Sequence, residues 1–111
     1  MKILVFVSAK AEKEFYKLPP EAISKFKASL GAVQRGSKPF LNIDYLDTVG
    51  KGVIELKING RPAYRCLYVA KYKDRIIVLG AFTKTTNGSD QAIRTTGKTR
   101  YKAMIDQFGQ P

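Results

Sequence analysis

The stretch VIELKINGRPAYRCLYVAKYKDRIIVLGAF, residues 53 to 82, decides the fold. Its apolar residues first alternate with polar ones and then run almost unbroken, with β-branched and aromatic side chains throughout, which is the pattern of strands. Asn59-Gly60 and Lys73-Asp74 punctuate it. The spacing predicts strands over Val53 to Ile58, Ala63 to Tyr72 and Arg75 to Phe82, joined as an antiparallel meander, with Asn59 and Gly60 supplying the positive φ angles of a hairpin turn. In the first strand Ile54, Leu56 and Ile58 fall on one side and Glu55 and Lys57 on the other, so one face is expected to be packed and the other charged.

Working outward, Ile3 to Val7 reads as a short strand, and Ser8 is a good helix N-cap before AKAEKEFYKL. Pro19 ends that helix. Pro20 and Glu21 suit the first turn of a second one, in which Ala22, Ile23, Phe26, Leu30 and Val33 recur at three- and four-residue spacing until Gly36. Residues 37 to 52 are read as a loop pinned by Tyr45 and Leu46. A C-terminal helix begins near Asp90, carried by Ala92, Ile93, Tyr101, Met104, Ile105 and Phe108, although Thr95, Thr96 and Gly97 weaken its first half. The expected architecture is α+β, in the order β-α-α-β-β-β-α, with the helices packed on one face of the meander and a single domain over residues 1 to 111.

The chain carries 20 basic and 9 acidic residues, a net charge of +11, and 44% apolar residues. That apolar share supports a packed interior. The charge is uneven, +3 over residues 1 to 50 and +8 over residues 51 to 111, so the second half is where a polyanion is expected to dock. There is one cysteine, Cys66, and no histidine. No internal disulfide and no Cys/His metal set is available, and proton transfer falls to Lys, Arg, Tyr, Asp or Glu. Ile3 to Val7 is far shorter than a membrane span or the core of a signal peptide, so a cytoplasmic protein without membrane partners, metal or cofactor is expected. Ala92 to Thr99 fits a relaxed phosphate-loop spacing, but no buried strand precedes it, and a threonine-rich helical segment is the better reading.

The chemistry-bearing residues lie on the meander. Arg65 sits among Tyr64, Cys66, Leu67 and Tyr68, across the first hairpin from Lys57; Lys84 leaves the third strand and Arg61 lies in the turn. Four such cations around one phosphate would combine planar arginine clamps with lysine point charges. The alternative is that Lys57 pairs with Glu55 on the surface and Arg65 ties down a loop carbonyl or Asp47.

Three segments, Ile54-Glu55-Leu56-Lys57-Ile58, Ala63-Tyr64-Arg65-Cys66-Leu67-Tyr68 and Ile77-Val78-Leu79-Gly80-Ala81-Phe82-Thr83-Lys84, resemble in order the ELR, YRxLY and LLHGFxKK signatures of phage-derived, HigB-like toxins of the RelE/ParE superfamily. FYKLPPEAISKFKASL and the basic last helix are similar to that family as well. The resemblance implies a RelE-like fold and the toxin of a type II toxin-antitoxin system, one that binds a cognate antitoxin with a helix-turn-helix domain and, in the RelE/HigB branch, cleaves mRNA on the ribosome and arrests growth. Carried over by position, Lys57, Arg65 and Lys84 become the catalytic candidates, with Arg65 on the phosphate oxygens and Lys57 or Lys84 in proton transfer. Arg61, Arg94, Lys98, Arg100 and Lys102 are assigned to the RNA backbone, and Tyr64, Tyr68 or Tyr101 are either base-stacking groups or core. The sequence departs from the signature at Leu79-Gly80-Ala81, which lacks the histidine, at Thr85, which replaces the second lysine, and at Asn87 to Asp90. Two other classes remain open: a ParE-like poison that binds a topoisomerase without cutting nucleic acid, and a non-enzymatic basic nucleic-acid-binding domain.

The charge asymmetry makes a first prediction. Reversing Lys98 and Lys102 to glutamate lowers RNA affinity and flattens its dependence on salt while the domain stays folded. Reversing Lys25 and Lys27 costs less, as read by fluorescence titration against single-stranded RNA.

Overall fold

In the computed structural model, which describes residues 1–84 and 90–111, the elements run β1 (Ile3–Phe6), α1 (Ala9–Tyr16), α2 (Pro20–Gln34), β2 (Asn42–Tyr45), β3 (Val53–Ile58), β4 (Ala63–Val69), β5 (Arg75–Lys84) and α3 (Gln91–Phe108). Ser8 caps α1 as its sequence suggests, its hydroxyl accepting from the Ala11 amide at 3.1 Å. Pro20 opens α2, where it sacrifices no helical hydrogen bond. Gly36, at φ +85°, turns the chain out of that helix, and the Ser37 amide reaches back to the Ala32 carbonyl.

The five strands form one sheet in the order β1-β5-β4-β3-β2. The meander β3-β4-β5 is antiparallel throughout, and β1 pairs in parallel with β5, Ile3 opposite Arg75 and Phe6 opposite Val78, so the sheet is mixed. The meander accepts a further strand that the sequence reading placed in a loop: Asn42–Tyr45 pairs with Tyr45 opposite Ile54 and Asn42 opposite Lys57. Four residues among turn formers are too few for a periodicity signal. Of the two side chains expected to pin that segment only Leu46 does so; Tyr45 is 72% exposed. The first hairpin also differs from expectation. Its connection covers residues 59 to 62 with a cis Arg61–Pro62 bond, and Gly60 alone of these residues has positive φ.

The helices do not share one face, as the sequence reading expected. Phe26 and Leu30 of α2, with Phe15 of α1, pack on Leu56, Cys66, Tyr68, Ile76 and Val78. Ile93 and Met104 of α3 pack on Val53, Leu67, Val69, Ile77 and Leu79. Because neighbouring residues of a strand point to opposite sides, α3 covers the face opposite to α2. The cause lies in β4 and β5, which are apolar on both sides and must bury both. Gly97 lets α3 close on that face: a Cβ there would stand 2.9 Å from both Leu67 and Val49 side chains. The residues that weaken the helix on propensity thus include one that packing requires. Among the described residues no helix is long and apolar enough to cross a membrane.

Arg100 joins the layers. Its guanidinium donates to both carboxylate oxygens of Glu14 on α1, at 2.6 and 2.8 Å, and to the Leu79 carbonyl at 3.0 Å. Gly80 makes this possible, because a side chain there would collide with the guanidinium. The stretch Leu79-Gly80-Ala81, where the expected histidine is missing, thus supplies a glycine matched to an arginine 20 residues later in the chain. The hydrogen bond from Arg100, reinforced by its charge, holds the Glu14 carboxyl below its ordinary value of 4.5 against the opposing effect of burial.

Replacing Arg100 with Met is expected to destabilise the domain by about 2 kcal/mol at neutral pH, the scale of hydrogen bonds to a charged group. A carboxyl with a depressed value contributes stability above its unfolded value and loses it as pH falls through the folded one. The difference in melting temperature between parent and Arg100→Met should accordingly narrow below pH 4.5.

Candidate functional site

The register of the sheet brings the three catalytic candidates together. Lys57 on β3 lies directly opposite Arg65 on β4, Arg65 opposite Phe82 on β5, and Ala63 opposite Lys84. Residues opposite one another share a face, and Ala63 and Arg65 are two apart, so Lys57, Arg65, Phe82 and Lys84 line one end of the face that α3 covers. Phe82 was not among the residues singled out from sequence. It is partly buried, with the Arg100 guanidinium 5.7 Å from its ring centre.

Each cation is matched to an acid. Lys57 Nζ is 3.0 Å from Asp44 on β2, Lys84 Nζ is 3.0 Å from Asp90 at the start of α3, and Arg65 Nε is 4.0 Å from Glu55. The Lys57 partner is thus Asp44 rather than the Glu55 considered from sequence. Arg65 is 7% exposed and its Nη1 donates to the carbonyls of Tyr64 at 3.0 Å and Ile58 at 3.3 Å. It therefore does tie down backbone beside the hairpin turn, and it also faces the other cations. Its Nε has no hydrogen bond. Glu55, 2% exposed, is pushed above the ordinary carboxylate value by burial first and then by the charge of Asp90; Arg65 pulls the other way.

The residues assigned to the RNA backbone separate into three groups. Arg61 is exposed in the hairpin turn. Arg94, Lys98 and Lys102 are exposed and four residues apart on α3, which sets them along one side of the helix, beginning one turn after Asp90. Arg100 is removed from the set: it is engaged with Glu14 and the Leu79 carbonyl. Of the aromatic residues named from sequence Tyr68 is core, and Tyr64 and Tyr101 are partly buried. Tyr68 is 1% exposed beneath α2, with burial pushing its phenol up to about 12, Tyr64 flanks the same cluster, and the Tyr101 ring lies against Gly50. Cys66 is likewise buried there, and its thiol is pushed up by burial, which leaves it unreactive. The departures at Thr85 and residues 87 to 89 lie outside the described residues.

Asp44 and Asp90 are the acids sequence reasoning left out of the site. Asp44 was hidden because β2 was not foreseen. Asp90 stands before a helix, where aspartate ordinarily signals a cap. Glu55 is placed by sequence on the same strand face as Lys57, as a surface partner for it, whereas the structure buries it and sets it 4.0 Å from Arg65. Among the described residues no group of His, Cys, Asp and Glu is arranged to hold a metal ion.

A mixed five-stranded sheet with a helical pair on one face and a last helix on the other is an α+β fold compatible with the RelE-like arrangement. The chain belongs to the phage-derived Gp49-like protein family (DUF891), whose family model matches residues 13–102 and so spans every cation and acid of the site. No curated protein matches the chain.

Glu55 supplies the next prediction. A carboxyl whose folded value is raised favours the folded state below its unfolded value, and that advantage is lost as pH climbs through the folded value. Glu55→Gln is therefore expected to melt a few degrees above the parent at neutral pH. The gain should vanish below pH 4.5, where both chains are neutral at this position. Thermal melts across the pH range measure it.

Proposed function

We propose that this protein is the toxin of a type II toxin-antitoxin pair, of the HigB-like branch, and that it cleaves mRNA on the ribosome until a cognate antitoxin with a helix-turn-helix domain neutralises it. The observation that carries this reading is the convergence of Lys57, Arg65 and Lys84 at one end of one sheet face in a chain of the Gp49-like family. The exposed stripe Arg94, Lys98 and Lys102 supports it by leading away from that cluster along α3, where it suits a nucleic-acid backbone.

The reaction is a transfer within the RNA strand. A ribose 2′-oxygen attacks the adjacent phosphorus and loses its proton while the P–O5′ bond breaks and the leaving oxygen gains one, producing a 2′,3′-cyclic phosphate and a 5′-hydroxyl end. Negative charge builds on the phosphoryl oxygens in between, where preorganised cations stabilise it most. Arg65 is assigned to those oxygens. Its Nη1 is anchored by two carbonyls, so the planar group is held in place before substrate arrives. Lys57 and Lys84, on either side of it and less buried, are assigned to proton transfer and charge neutralisation.

Arg65→Ala is expected to lower cleavage about a hundredfold, the effect of ~3 kcal/mol of transition-state stabilisation. Arg65→Lys should rescue little, since an ammonium cannot reproduce the planar fork. Because Arg65 also anchors backbone, melting temperature is measured on the same preparations, and Lys57→Met and Lys84→Met serve as variants with smaller structural effects. Mapping RNA 5′ ends after expression reads the outcome. New ends in translated messages that disappear in folded variants support the nuclease; growth arrest without new ends points to a non-nuclease poison.

A further inference from the structure

Among the described residues, two buried side-chain atoms lack a hydrogen bond, and both belong to this site: Nε of Arg65, a donor, and Oδ1 of Asp90, an acceptor. Leaving such groups unpaired is costly, and native proteins seldom do it without a reason. Asp90 is unusual in a second respect. It stands at the N-cap of α3, where an aspartate ordinarily accepts from the amides of the first turn, yet its side chain makes no capping bond. The carboxylate is turned instead toward Lys84, whose Nζ lies 3.0 Å from Oδ1 as an ion pair. Arg65 Nε stands 4.0 Å from Glu55, whose carboxyl also responds to the charge of Asp90. The site thus holds one unsatisfied donor, on a side chain nine-tenths buried, and one carboxylate oxygen that faces the Lys84 ammonium and makes no capping bond.

A ligand that completes both must bring an anionic oxygen for the guanidinium and a hydroxyl or amine hydrogen for the carboxylate. We propose that Asp90 is a specificity-determining residue that accepts a hydrogen bond from a ribose 2′-hydroxyl while Arg65 takes the neighbouring phosphate, so that the site selects single-stranded RNA over DNA. The inference rests on the nuclease reading and names the ligand group that reading leaves unassigned. Lys84 is the adjustable part. Its ammonium is partly exposed, and an arriving phosphate offers it an alternative anion, which frees Oδ1 for the hydroxyl. Asp90 spends its carboxylate on this position and gives up a capping bond to do so.

The test is equilibrium binding of the full chain to RNA and DNA oligonucleotides of one sequence. Both carry a fluorophore, and the RNA carries a single reactive ribose whose neighbouring linkage is a non-cleavable phosphonate. Wild type is expected to prefer RNA about tenfold, the scale of one hydrogen bond to a charged group. Asp90→Ala removes both charge and acceptor: DNA binding should strengthen, because Lys84 is released, while the RNA preference collapses. Asp90→Asn removes the charge but keeps an acceptor oxygen, and should retain part of the preference. A residue that merely neutralises Lys84 forecasts something else, an equal gain for RNA and DNA in both variants with their ratio unchanged, and that result overturns the proposal. Wild type that binds the two equally, or binds neither, overturns it too. RNA preference that depends on Asp90 in a protein that makes no cuts in translated messages would retire the nuclease reading and leave this assignment standing.

Discussion

A guanidinium placed on the middle strand of a sheet that is covered on both sides has to be neutralised within the protein, and the arrangement around Arg65 follows from that requirement. Burying an ion without partners costs several kcal/mol or more on the usual scale. Arg65 meets part of the demand with the carbonyls of Ile58 and Tyr64, and Glu55 stands nearby at 4.0 Å. Glu55 is then itself a buried acid that feels the charges of two others, Asp90 and Asp44, and these are paired in turn with Lys84 and Lys57. One buried charge thus recruits alternating partners from β2, β3, β5 and α3. Their contribution is to position Arg65; the same pairings in a hydrophobic protein core of equal shape would add little to stability.

A second arginine does different work on the same sheet face. Arg100 binds a carboxylate and a carbonyl, and its route to them exists because residue 80 has no side chain. Two arginines of equal charge, both on or against the α3-covered face, therefore divide into one that holds the layers together and one left with an unpaired donor. Net charge alone, however lopsided along the chain, does not distinguish them.

The meander was legible because β-branched and aromatic residues recur over thirty positions and two turn signals divide them. Lys57, Arg65 and Lys84 were legible for the same reason, since strand register follows once the turns are placed. What stayed hidden depended on contacts between distant segments. A helix stripe shows that one side of α3 is buried but not which sheet face it covers; the unbroken apolar runs Cys66 to Val69 and Ile76 to Leu79 held that information, as strands buried on both sides read so. The acids of the site come from a four-residue strand and a helix start, where local sequence reports turn chemistry and nothing of the neighbour across the gap. The pairing of Arg100 was not foreseen because a basic helix suggests an exposed one, whereas its partner Glu14 lies 86 residues away.

The parallel pairing of β1 with β5 sets the order in which the molecule can be assembled during synthesis. Every residue of β1 waits for a partner between Arg75 and Val78, so the first strand leaves the ribosome long before anything exists for it to pair with. Non-local pairings of this kind slow folding because chain closure precedes any gain in contacts. The covering helix α3 and its clamp to Glu14 come later still. A nascent chain truncated before residue 90 holds Lys57, Arg65 and Lys84 but neither Asp90 nor the layer that encloses them. Lys57, Arg65 and Lys84 are therefore enclosed only after α3 has been made and has closed on the sheet.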